Sequence, residues 1–64
     1  MQTINSVLDD QATRLVLPYV TDEWQDMMVI AESAGLRFNN AVAYMAGLKY
    51  LGILVNDGRN WKRA

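Results

Sequence analysis

The chain has 64 residues, seven acids against six bases, and 52% hydrophobic residues, a composition that fits one small packed domain and not a disordered segment. It contains neither cysteine nor histidine, which excludes disulfides, thiolate or imidazole metal sites, cysteine nucleophiles and imidazole general bases. The longest uncharged stretch, Phe38 to Leu48, is eleven residues, too short to cross a bilayer.

From Ser6 to Val16, the apolar residues Val7, Leu8, Ala12, Leu15 and Val16 gather on one helical face. Helix 1 is therefore expected over about 6–17, with Ser6 as N-cap and Asp9 and Asp10 near its positive end. Pro18 stops it, leaving Leu17-Pro18-Tyr19-Val20 extended and confined to a sheet edge. Helix 2 is expected over about 22–34, capped by Thr21 or Asp22, with Gln25 completing a capping box. Trp24, Met27, Met28 and Ala31 would form its inward face, and Gly35 a left-handed terminus.

Helix 3 should start at Asn39 or Asn40, one of them acting as N-cap, and run to Leu51. Ala41, Met45 and Leu48 face inward, and Gly52 closes it. About four residues would separate helices 2 and 3, the spacing of a helix-turn-helix. The end of the chain changes period. Ile53-Leu54-Val55 is β-rich and Asn56-Asp57-Gly58 is a strong turn signal. A type I′ loop at Asp57-Gly58 sets Leu54 opposite Trp61 and Val55 opposite Asn60, with Leu54 and Trp61 on one face of a hairpin spanning about 53–63. A lone hairpin is marginal, so it must pack on the helices or pair with segment 17–20. Met27, Met28, Met45, Trp24 and Trp61 are expected as core residues, since a chain this short needs its large side chains inside.

Charge divides along the chain. Residues 1–35 carry six acids against Arg14, and residues 36–64 carry five bases against Asp57. Such asymmetry points to a polyanionic partner for the basic half, with a solvated C-terminal tail as the plainer reading. Catalysis is not expected, because the acids are scattered, no glycine-rich phosphate loop occurs, and Ser6 and Ser33 have no histidine base. No cofactor or metal is expected. The first base is Arg14, so a charged signal-peptide start is missing from this sequence, and a soluble, cytoplasmic protein is expected.

Three helices followed by a hairpin resemble the winged helix-turn-helix family. The likeness is densest in Ala31-Glu32-Ser33-Ala34-Gly35-Leu36 and in Leu48-Lys49-Tyr50-Leu51-Gly52-Ile53-Leu54, with Gly35 to Ile53 fitting the family's spacing without insertion or deletion. The resemblance implies a single domain over 1–64, mainly α with a small C-terminal wing, that binds duplex DNA as a small transcriptional regulator or recombination accessory factor. Carried onto this chain, it implies that Arg37, Asn39, Asn40 and Tyr44 meet the major groove, and that Arg59, Asn60, Lys62 and Arg63 of the wing meet mostly phosphate. Val42, Ala43, Ala46 and Gly47 depart from the polar residues usual in a DNA-reading helix. Their small apolar face supports the alternative of a protein-contact module, either a homodimer or a subunit, adaptor or inhibitor of another protein.

Overall fold

The computed structural model describes the backbone from Ile4 and the side chains from Asp10 to Ala64. Three helices, α1 (Ile4–Leu15), α2 (Met27–Ala34) and α3 (Phe38–Tyr50), combine with three short strands, β1 (Gln25–Asp26), β2 (Leu54–Asp57) and β3 (Asn60–Arg63). The strands form one antiparallel sheet in the order β1-β3-β2. The order of elements and the sheet topology are compatible with a winged-helix layout.

Helix α1 supplies Ala12 and Val16 to the core, as their spacing requires, while Leu15 turns toward solvent. Ser6 lies inside α1 and so is not its cap, and the side chains of Val7, Leu8 and Asp9 fall outside the described residues. Segment Leu17–Tyr19 is a turn of 3-10 helix rather than an extended edge. Proline suits the first turn of a helix, where its missing N–H has no partner to lose and its fixed φ is already right. Only at Val20 does the backbone become extended (φ −105°, ψ 126°), and its side chain is buried.

Helix α2 begins five residues later than the sequence pattern suggests. Residues 21–24 are instead a loop in which Thr21 Oγ1 accepts from Glu23 N–H at 3.1 Å, and Gln25 Oε1 accepts from Thr21 N–H at 3.2 Å. The polar side chains that resemble a helix cap therefore close a turn of their own. The cap is Asp26, whose Oδ1 accepts from Met28 N–H at 2.8 Å. Ile30 and Ala31 are buried and Met27 packs against them, whereas Met28 and Trp24 are exposed, contrary to a core role for those two.

Gly35 (φ 69°) ends α2, and Leu36 N–H donates to Ala31 O at 3.1 Å. Gly52 (φ 80°) follows α3, and Ile53 N–H donates to Leu48 O at 2.9 Å. Both ends use the same six-to-one closure through a left-handed residue. Three residues separate α2 from α3, and Ala41, Met45 and Leu48 of α3 are fully buried against α1 and α2.

The hairpin turns at Gly58-Arg59, with Asp57 paired to Asn60, Asn56 to Trp61 and Leu54 to Arg63. Gly58 has φ 60° while, among the described residues, no non-glycine residue has positive φ, which matches the type II′ pattern and not type I′. The turn sits one residue later than expected and the register moves by two. Because side chains alternate with a period of two, the faces survive that shift: Leu54 and Trp61 still lie together in the core. The hairpin is steadied by β1, which pairs Gln25 with Trp61 and Asp26 with Asn60, and not by a strand at 17–20.

Candidate nucleic-acid interface

Helix α3 presents its outer face through the row Asn39, Ala43, Ala46, Tyr50, spaced by four, three and four. All four are exposed, as are Arg37, Asn40 and Lys49. Arg37 occupies the N-cap position with extended backbone and makes no capping bond through its side chain. Asn39 and Asn40 therefore lie in the first helical turn, and neither amide is spent on capping. Behind them Ala43 and Ala46 leave the helix surface low, while Gly47 and Val42 are half-buried, Val42 against the core. The helix from Phe38 to Tyr50 contains no carboxylate.

Tyr44 sits differently from Asn39 and Asn40. It is half-buried against the core and its hydroxyl lies 3.4 Å from Gln11 Oε1 on α1. Its position, three residues after Ala41 and four before Leu48, puts it beside the buried row. The aromatic residue that does face solvent is Tyr50, 91% exposed.

The wing brings Arg59, Asn60, Lys62 and Arg63 onto one hairpin, but the side chains are not equivalent. Arg63 donates from Nε to Val20 O at 2.6 Å and from Nη2 to Leu17 O at 2.8 Å, and its backbone N–H donates to Thr21 O at 2.8 Å. Its guanidinium is thus built into the fold. Lys62 holds its ammonium 4.9 Å from the centroid of the Trp24 ring, a cation–π contact on the outer face of the sheet. Arg59 faces Asp26, with Nε 3.3 Å from Oδ2 and Nη2 3.3 Å from Oδ1. The hydrogen bond from Met28 N–H, then that from Arg59, holds the Asp26 carboxyl below the ordinary carboxylate range. The backbone joins the same two elements, since Met27 N–H donates to Arg59 O at 2.9 Å.

The structure thus gathers Arg37, Asn39 and Asn40 at the start of α3 and keeps Ala43 and Ala46 on its open face. It places Arg59, Asn60 and Lys62 on the wing and ties Arg63 and Tyr44 into internal contacts. Sequence reasoning missed Tyr50, Trp24 and Asp26 as surface features. The helical period carries the signal for Tyr50, seven residues beyond Ala43, whereas Asp26 and Trp24 depend on strand pairing that two residues cannot announce.

Among the described residues there is no helix long and apolar enough to cross a membrane, and no cluster of three or more acidic metal ligands. In comparison with known proteins, the chain matches no family model, no curated protein and no solved structure.

Proposed function

We propose that the protein is a winged-helix DNA-binding module that engages duplex DNA through α3 and the β2–β3 wing. The observation that carries this reading is the outer side of α3, which opens with Arg37, Asn39 and Asn40 exposed and bears no carboxylate. An asparagine amide matches the N6 and N7 edge of adenine, and a guanidinium matches guanine O6 and N7 or a phosphate. The positive end of the helix dipole lies at the same place. Ala43 and Ala46 let the helix backbone come near a groove floor, and Lys62 and Arg59 supply phosphate contacts that set position and not sequence. With so few cations, one copy binds weakly, and a role as a small cytoplasmic transcriptional regulator or recombination accessory factor calls for a second copy or a partner protein.

A 15N-labelled sample titrated with a 20-base-pair duplex tests the reading directly. Shifts centred on residues 37–50 and 58–62 support it. An unperturbed spectrum at low salt, or shifts centred on α2, count against it.

One observation favours the alternative of a protein-contact module. Tyr50 and Leu51 stand exposed at the end of the Ala43-Ala46 face, which together make an apolar patch of the kind that protein partners cover. Replacement of Ala43 by Glu on this reading abolishes self-association or partner binding without unfolding the domain, and solution mass reports it.

A further inference from the structure

Of the cations on the wing, Arg59 differs from its neighbours in what occupies it. Arg63 gives Nε and one Nη2 hydrogen to two backbone carbonyls that it holds in place, so that edge of its fork is spent within the fold and only its other donors are left for a phosphate. Lys62 rests on an aromatic face that leaves ammonium hydrogens pointing elsewhere. Arg59 instead offers Nε and Nη2 to the two oxygens of one carboxylate, the same side of the guanidinium fork that takes up a phosphate. Both side chains of that pair are substantially exposed, at 63% for Arg59 and 39% for Asp26. An exposed ion pair biases an equilibrium by about fivefold at most, so a phosphate in the right place can displace the carboxylate.

Resting on the DNA-binding reading, we propose that Asp26 acts as an internal phosphate mimic that occupies Arg59 in the free protein and sets the wing's affinity for a nucleic-acid backbone. Asp26 has a second duty, capping α2 through Oδ1, and asparagine performs that duty as well as aspartate. The two roles are therefore separable: Asp26→Asn keeps the cap and removes the carboxylate that competes for Arg59. Chain geometry supports the assignment, because Asp26 and Asn60 are cross-strand partners and Arg59 is the residue next to Asn60. The carboxylate is delivered to the wing tip by the fold and not by a mobile tail.

The test measures binding of a labelled 20-base-pair duplex by anisotropy at several salt concentrations. The proteins compared are the wild type, Asp26→Asn, Arg59→Gln, the double variant, and Asp22→Asn as a control for the same change in net charge. The proposal predicts that Asp26→Asn binds about three- to fivefold tighter than wild type at low salt. Its salt dependence should steepen by up to about 0.9 in log–log slope, the value for one further phosphate neutralised. Adding Arg59→Gln should erase that gain, and Asp22→Asn should give a smaller one. A gain that is absent, that equals the Asp22→Asn gain, or that survives Arg59→Gln overturns the proposal while leaving the DNA-binding reading in place. If neither wild type nor Asp26→Asn binds the duplex, both fall together. A melt of Asp26→Asn alone gives a further check: a domain that loses its helical signal contradicts the claim that cap and competitor are separable.

Discussion

The Arg63 guanidinium reaches back to the carbonyl of Val20, 43 residues earlier, at 2.6 Å, and fastens the last strand to the turn that follows α1. With the second bond to Leu17 O, one side chain satisfies Val20 O beyond the turn and adds a second donor to Leu17 O, which already accepts from Val20 N–H at 3.1 Å. Hydrogen bonds to a charged donor are the stronger kind, and Arg63→Ala is expected to cost about 1–3 kcal/mol. Arg63→Lys should recover only part of this, since an ammonium lacks the planar fork that spans both acceptors. Urea unfolding followed by circular dichroism measures both. In a domain of this size, whose whole stability is about 3–5 kcal/mol, the alanine variant should lose most of its midpoint.

The two tryptophans should behave oppositely. Trp61 is 5% exposed and sits beside Leu54 in the core, whereas Trp24 is 48% exposed under Lys62. Trp61→Ala is expected to cost about 3–5 kcal/mol and leave the chain largely unfolded. Trp24→Ala should cost about 1 kcal/mol or less, the scale of an exposed cation–π contact. Iodide quenching of the Trp61→Phe and Trp24→Phe variants checks the assignment: the protein retaining only Trp24 should quench freely, and the one retaining only Trp61 should be shielded.

Asp26 gives the domain an acid-side weakness. Its folded carboxyl is held below the ordinary range, first by Met28 N–H and then by Arg59, so the folded state binds a proton less readily than the unfolded one. The stability this contributes is complete above the unfolded value of about 3.9 and is lost as pH falls through the lower folded value. Thermal midpoints measured between pH 7 and pH 2 should fall for wild type below about pH 4, and more shallowly for Asp26→Asn. Asp26→Ala should be less stable than either already at pH 7, because it removes the cap along with the charge.

Tyr44 and Tyr50 separate fold from surface. Tyr44→Phe loses a weak hydrogen bond to Gln11 and should cost no more than about 1 kcal/mol, with no effect on association with DNA. Tyr50→Ala should leave the unfolding midpoint unchanged, since the side chain is almost wholly solvated, and should weaken whichever partner covers α3.

Much of the framework is legible in the sequence. Gly35 and Gly52 mark the ends of α2 and α3 because only a left-handed residue closes those helices in this way, and Ala41, Met45 and Leu48 follow the helical period into the core. The face shared by Leu54 and Trp61 is legible even though the turn lies one residue beyond Asp57-Gly58, because a two-residue change of register preserves strand parity. The start of α2 was not legible. Thr21, Asp22 and Gln25 carry cap-like chemistry that the loop uses instead, and β1 is too short to show alternation. The roles of Arg63 and Arg59 were hidden for another reason. Each is fixed by a partner more than thirty residues away in sequence, so a basic C-terminal half reads as one ridge of free charge when two of its guanidinium groups already have partners.

The most direct test of the account is the salt dependence of duplex binding by wild type, set beside the Asn39→Ala/Asn40→Ala variant. Contacts to phosphate from Arg37 and Lys62, and from Arg59 to the extent that phosphate displaces Asp26, predict that log K falls with log salt at a slope between about −1.8 and −2.7. The asparagine variant should bind more weakly at every salt concentration with the slope unchanged, since amides read bases and release no counterions. Saturable binding lost in this way supports α3 as the reading element. No measurable binding at low salt, or a slope and affinity indifferent to Asn39 and Asn40, would contradict it.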